Sequence, residues 1–562
     1  MRSNAHPMTP HASERGIALV AALLFILLSS VLVVTIMLTT TGERTQSSNT
    51  QTAKLALYAA DAGVRTQQQI LANLAKAKMD SCLAAWNAAG SLPSQPIISN
   101  PAAIFPAGTL ASPYVASSSS PAFAASASIN LSSANVGPTA QAFDYMFTIT
   151  SSGSLANTGK RNVQSSGVLR LSATRGSFAD FLVLTDQFTM ANSGTVWFTS
   201  SDQLDGRVHT NGSFKFAYHP VFQDRVSQVG ATATYYNNGG SPVVVDANNN
   251  GTLDTPDFFG GYVRGQTAIA LPTNANDQWC KALGLTPSGG IAPTSSQINT
   301  QLGVPSGTPT NGGYVVHNAS NQVIGGLYIQ GTATVVKVYA DTVTDRQYYR
   351  MSVGPNHVSV EVDPVANKTR VWNKPNTGGA PDFTYDGVPN GVMYANGGID
   401  NLTGPDRDVS TGSVPPALAI NQRALIASNG DIVLQGDLTC DLYDEKTNVL
   451  GIFSGGGAVR IGNSAPNNLN VDAFVMACGS SGEFRVDNHN SGLYRGPVNL
   501  RGGMVSRYYG AFYTWDTNGN PVTGYTRNFH YDRRGLIPPM YPTTGVFQAD
   551  TPTARTIAWK EI

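Results

Sequence analysis

Charge is scarce in this sequence and balanced where it occurs. Charged residues fill 12% of the 562 positions, about half the roughly 25% of ordinary soluble domains. The 35 Lys and Arg offset the 35 Asp and Glu. A chain without net charge has no electrostatic footprint for an acidic polymer, so no nucleic-acid partner is expected. Cysteine is scarce too. Cys82, Cys280, Cys440 and Cys478 include no CxxC pair, which argues against a structural zinc site. In an exported chain these thiols permit several pairings that sequence does not choose between. A Cys440–Cys478 disulfide is one reading, and four lone buried thiols are the other. Hydrolase signatures are missing: there is no HExxH and no GxSxG, and "GSSGE" (479–483) has the wrong spacing. "SGGGAVRIG" (454–462) is too irregular for a dinucleotide loop and lacks its βαβ setting. No enzyme is expected from these absences.

Gly, Ser, Thr and Asn take the place of the missing charge, a bias that suits tightly turned β architecture outside the cytoplasm. One long apolar run is present, within "ERGIALVAALLFILLSSVLVV" and onward. Ile17 to Leu38 carries no charge, and Ser29, Ser30 and Thr35 are its only polar side chains. At 1.5 Å per residue this run is about 33 Å long, enough for a hydrocarbon core of roughly 30 Å. A secretory signal has an apolar core of about 7–15 residues, so this run is too long for one. Arg2 and Arg15 precede it, which favours a cytoplasmic N-terminus with the remainder outside. The pattern predicts a single pass of the inner membrane.

"QTAKLALYAADAGVRTQQQILANLAK" then continues as an amphipathic stalk, with Leu57, Ala60, Val64, Leu71 and Leu74 on one face. A basic residue and Gly, a long apolar run and then "LYAADAGVR" (57–65) resemble the N-terminal region of PilX-like minor pilins of type IV pili. The resemblance implies a prepilin-type leader (1–16), with a prepilin peptidase cutting between Gly16 and Ile17. It also implies other pilins or minor pilins as partners through the N-terminal helix. Major pilins of this kind carry Glu as the fifth residue after the cut, where this chain has Ala21. That departure points to a minor, initiating or tip position. A plain signal anchor is the alternative.

Domain boundaries follow from composition: a transmembrane helix (17–38), a helical stalk (39–87) and a Ser/Ala/Pro-rich linker (88–140). Alternating patterns such as "QAFDYMFTITSSGSL" then predict a pilin-like β segment (141–177). A β-rich head (178–562) follows. In the head a strand–turn–strand unit recurs, as in "GRVHTNGSFKF", "RALIASNGDIVLQGDL", "LGIFSGGGAVRIG" and "DAFVMACGSSGEFRV". Ile426, Ile452, Val475 and Val505 recur at roughly 23 to 30 residues. The expected fold is therefore mainly β with an N-terminal α-helix, its head a β-solenoid like a parallel β-helix. A β-sandwich of hairpins is the alternative. Gly and Asn at the corners are expected to supply left-handed or tightly bent backbone. "LDGRVHTNGSFKF" with "PVFQDRV" (204–226), "ALIASNGDIVLQGDL" (424–438) and "GYTRNFHYDRRGLIPPMYPTTGVF" (524–547) also resemble an uncharacterised extracellular domain family found after pilin-type N-termini.

The strongest local chemical signal is "VVVDANNNGTLDTPDFF" (243–259). Calcium loops alternate oxygen ligands, place Gly sixth and end in a carboxylate. Here Asp246, Asn248, Asn250, Thr252, Asp254 and Asp257 fall at the first, third, fifth, seventh, ninth and twelfth positions, with Gly251 sixth. The pattern resembles dockerin-type and thrombospondin-type loops, and calcium is the one cofactor expected. An Asn-rich turn without an ion is the plainer reading. "TWDTNGNPVTGY" (514–525) begins similarly but reads as a hairpin turn. His209 and His219 with Asp205, and His530, Asp532, Arg533 and Arg534 in "FHYDRRG", are further clusters. Packed strand histidines and a turn tying the C-terminus to the head account for them more simply. Together these features predict a pilus or cell-surface subunit whose calcium-stabilised head serves adhesion, or else an anchored adhesin outside any filament.

Overall fold

The computed structural model describes residues 12–88, 96–105, 110–111, 121–137, 140–155, 159–237, 243–245, 254–442 and 447–562. The chain is mainly β with one long N-terminal helix. It divides into two compact units, residues 1–174 with 547–562, and residues 175–546.

In the first unit a single helix runs from Ala12 to Ala88. Its second half lies on an antiparallel sheet of Ala122–Val136, Ala140–Leu155 and Gly159–Ser177. "QAFDYMFTITS" alternates as a half-buried strand should, with Gln141, Phe143, Tyr145, Phe147, Ile149 and Ser151 all buried. Two boundaries need correction. The expected linker 88–140 contains the strand Ala122–Val136, which pairs along the length of Ala140–Leu155. Its alternation of Ala125, Ala127 and Ile129 with Ser and Asn is real but carried by small side chains, so composition hid it. The expected head 178–562 also gives up its end, because Thr553–Glu561 returns to pair antiparallel with residues 163–170.

The second unit is dominated by two sheets. The longer one carries a parallel ladder through Val392–Ala395, Arg423–Ser428, Val449–Ser454, Leu469–Ala477 and Tyr494–Tyr508. The other carries a parallel ladder through Ile399–Thr403, Ile432–Leu434, Val459–Ile461 and Phe484–Val486. Successive strands in the sequence therefore alternate between the sheets, turning at "SNGD", "SGGGA" and "GSSGE". Ile426 pairs with Ile452 and Ile452 with Val475, as the repeat predicts. Val475 then pairs with Met504, so the last repeat falls one residue from its expected register at Val505.

The order of stacking departs from the order of the chain. Val505 pairs on its other side with Leu184, and the ladder continues through Val208–Thr210, Val226–Gln228 and Tyr262–Val263. Strand Tyr494–Tyr508 thus sits against the first strand of this unit, Val183–Gln187, and Pro521–Tyr531 also pairs in parallel with it. Two runs of stacked strands meet there and share one interior, lined by Val208, Ile426, Ile452, Val475 and Leu500. A hairpin of Gly312–His317 and Val323–Gln330 ends the longer sheet. An antiparallel meander from Val335 to Asp386 extends the other.

The corner glycines act differently from expectation. Gly430, Gly456 and Gly479 are absent from the residues with left-handed backbone. A Cβ on Gly456 would lie 2.1 Å from Asn429 O, and one on Gly479 would lie 2.3 Å from Gly456 C. Glycine is needed because the corners stack backbone on backbone. Left-handed geometry falls at other turns of these strands, on Asn421, Asn468 and Asn488 and on Gly391 and Gly496, where a short polar side chain or none allows it. At the same corners a buried row of hydroxyls runs up the strand ends. Ser428 and Ser454 both donate to Gly430 O, and Thr185 bonds Thr210 at 3.0 Å.

Candidate assembly helix and head sites

The two halves of the N-terminal helix have different surroundings. Ile17, Leu24, Phe25 and Leu28 are exposed, as is nearly the whole run to Leu38. Two of the three polar side chains of this run bond back to the helix: Ser30 Oγ donates to Leu27 O and Thr35 Oγ1 to Val31 O. Thr39, Thr40 and Thr41 bond back one turn in the same way. A helix segment without charge whose hydroxyls bond back to its own carbonyls can lie in hydrocarbon, where backbone groups must also be satisfied within the segment. This is the one helix among the described residues long and apolar enough to cross a membrane. Ile17 is exposed at its start, and the helix runs without a break through Gly16.

From Ala56 onward one face is buried: Ala56, Ala60, Val64, Leu71, Ala75 and Met79. Leu57 and Leu74 pack only at its margin, while Ala75, Met79 and Trp86 extend the seam beyond the predicted residues. The "LYAADAGVR" stretch lies where helix and sheet come closest. A Cβ on Gly153 would lie 2.0 Å from Ala56 O and 2.4 Å from Ala60 N, and one on Gly63 would lie 2.2 Å from Ser151 Oγ. The small residues of this stretch therefore let the helix backbone settle directly on the strand. Tyr58 and Arg65 face outward, Arg65 pairing with Asp61 at 3.0 Å.

Of the predicted calcium ligands, Asp246, Asn248, Asn250 and Thr252 lie outside the described residues. Asp254 is fully buried, and its two oxygens accept the backbone N–H groups of Tyr218 and Asn237, each at 2.6 Å. Asp257 begins a short strand paired in parallel with Val221–Phe222, and its carboxylate meets His219 Nε2 at 3.2 Å. Among the described residues no group of three or more His, Cys, Asp or Glu gathers as a metal site. The four cysteines are free thiols, so the Cys440–Cys478 pairing is not formed. Cys440 lies in the interior between the sheets, bonded to Asp472 O, whereas Cys478 faces a separate apolar cluster. Burial holds both thiols well above their ordinary pKa.

The histidine clusters resolve into packing. His209 is buried, with Nδ1 against Ser227 Oγ and Nε2 against Asn211 Oδ1. Burial is the main cause that lowers its pKa, with Arg207 and Arg225 adding to it, so the neutral ring is favoured. Asn211 staples the neighbouring segment through both N and O of Ile269. "LDGRVHTNGSF" and "RNFHYDRRG", far apart in sequence, are partners in space. Arg527 pairs with Asp202 at 2.8 Å in full burial and lies over Tyr509, Phe512 and Tyr513. Asp205 accepts the Tyr531 N–H and meets His530, while Arg533 donates to Asp205 O. Arg534 pairs with Asp532 and donates to Asn448 O, fixing this turn to the ladder. The sequence placed these residues one cluster at a time and missed that Asp202 and Arg527 form one buried pair. No short-range signal links positions so far apart.

The N-terminal helix is long and apolar enough to cross a membrane, and its second half settles on the sheet through small residues. Residues 15–65 match the family described as PilX N-terminal, and residues 142–231 match a domain of unknown function, DUF4900. The chain carries a PilX-like pilin N-terminus followed by an uncharacterised β-rich region. No curated protein and no solved structure matches it.

Proposed function

We propose that this protein is a minor pilin-like subunit of a type IV pilus or related filament. It inserts by its N-terminal helix and presents the β-rich region outside the membrane. The observation that carries this reading is the PilX-like N-terminus on a helix whose first apolar stretch, Ile17–Leu38, is exposed among the described residues. An apolar surface of that length needs either lipid or the helices of other subunits. Ala21, in place of the Glu of shaft pilins, favours a priming or tip position. On this reading a prepilin peptidase removes residues 1–16 and the inner membrane holds the subunit before assembly. The mechanism is lateral helix packing, not catalysis. We read the two parallel ladders as a β-solenoid whose stacked strands form the rigid head.

N-terminal sequencing of protein from the native membrane is the test. A mature chain beginning at Ile17 supports the reading, and an intact Met1 removes it. Co-purification with sheared filaments separates a filament subunit from an anchored adhesin. A calcium-ordered loop at 246–257 is the second element. Asp254 already holds two N–H groups, yet each carboxylate oxygen keeps a further lone pair, so the clamp and an ion are compatible. Calcium should raise the melting temperature and chelator lower it; no change either way would count against the loop.

A further inference from the structure

The β-rich unit carries four aromatic rings in one partly exposed patch. Tyr236 lies 5.3 Å from Trp197, 5.2 Å from Trp515 and 5.8 Å from Tyr218, and Tyr218 lies 5.6 Å from Trp515. Each ring keeps some exposure, whereas their sequence neighbours Phe198, Phe216 and Tyr235 are fully buried. The alternation of the strands thus feeds one set of aromatics to the core and the other to the surface.

Backbone strain gathers at the same place. Tyr218 has φ +60 and Asn237 has φ +55, and left-handed backbone is a genuine outlier for a bulky ring. One buried carboxylate, Asp254, holds both residues through their N–H groups. Strain that the surroundings enforce is a pointer to function. Here it fixes the bearing of Tyr218 and the residue after Tyr236. The Tyr218 hydroxyl donates to Thr517 O, in a turn where Asp516 accepts the N–H groups of Asn518 and Asn520. An amide-bearing turn therefore stands beside the rings, with Asn518 and Asn520 exposed.

We propose that Trp197, Tyr218, Tyr236 and Trp515 form a stacking platform for a neutral oligosaccharide built of all-equatorial pyranose units. The face of an aromatic ring is electron-rich. An all-equatorial pyranose presents a flat set of axial C–H bonds of slight positive character, while its hydroxyls point sideways. Asn518, exposed in that turn, is placed to bond such hydroxyls, while the Asn520 amide donates to Asp516. A methylated ammonium group would need an open cage between rings. Three of these contacts are edge to face and the Tyr218–Tyr236 pair is tilted, all at 5.2–5.8 Å, so the rings pack on one another and leave no such space. The assignment is independent of whether the chain enters a filament.

The test uses the full chain in detergent, titrated with cellohexaose and with chitohexaose. Intrinsic tryptophan fluorescence and saturation-transfer NMR supply two readouts. Saturable binding of at least one probe is expected, with transfer strongest at the axial C–H protons. Trp515→Ala should weaken it about tenfold, the size of one lost stacking contact. Tyr236→Ala, on a different strand, guards against a folding defect in the first variant, and melting curves check both. Failure to bind either probe overturns the assignment. So does unchanged affinity in both variants with melting intact. Concentration-dependent self-association that Trp515→Ala abolishes would give the patch to a second copy and also overturn it.

Discussion

The first and second halves of the N-terminal helix are built from the same backbone and meet opposite fates. Among the described residues Ile17–Leu38 is apolar and exposed, whereas Ala56–Met79 is apolar on one face and buried there. The difference lies in the angular distribution of side chains. A uniformly apolar helix cannot choose a face and needs a uniform apolar solvent. An amphipathic one selects its partner, and here the small residues Ala56, Ala60 and Gly63 select the closest approach.

The largest expected effect would break this contrast. Leu71→Ala should cost about 2–5 kcal/mol of stability by opening a cavity in the packed half. Leu24→Ala, the same change in the exposed half, should leave the melting temperature in detergent unaltered. Equal losses would show that the first half is also packed. Next comes Gly153→Val, which forces a branched side chain against Ala56 and Ala60 and should destabilise by about 1–3 kcal/mol. Thermal melting reads it, and a neutral result would refute the close helix–strand contact.

A smaller effect lies in the β-rich unit, which gives a contrast of its own. His209 has its pKa lowered by burial, so the unfolded chain binds its proton more readily than the folded one. Its contribution is fully present above about pH 6.5 and is lost as pH falls from there toward the depressed folded value. Melting at pH 7.5 and pH 5 should show the loss, and His209→Gln should flatten that part of the profile. Smallest of all, Arg65→Ala removes an exposed pair with Asp61 and should change stability by no more than about 0.5 kcal/mol. A larger loss in assembled material than in isolated protein would mark this outward face as a subunit contact.

Much of the fold was legible because it rests on local periodicity. The apolar run, the amphipathic seam and the alternation of "QAFDYMFTITS" each repeat over enough residues to be read directly. The repeat at Ile426, Ile452 and Val475 gave the pairing register of three strands. Other features were hidden for physical reasons. The alternation of Ala122–Val136 is faint in the sequence because Ala and Ser differ little in polarity. The corner glycines were legible as corners, but their cause, backbone stacked on backbone, belongs to the neighbouring strand and not to the turn itself. In the sequence Asp254 fits one ligand position of a loop, yet its described contacts are the N–H groups of Tyr218 and Asn237. Nothing within the loop sequence announces them.

By itself the sequence determined the membrane-length helix, its pilin-type start and the existence of stacked strands, since each follows from side-chain chemistry repeating at a fixed interval. Only the tertiary structure decided that residues 553–561 return to the sheet beside the stalk and that Val505 stacks on Leu184. It also decided that Arg527 finds Asp202. These pairings join residues hundreds of positions apart, and their energy comes from burial and charge compensation that exist only once the chain has closed on itself.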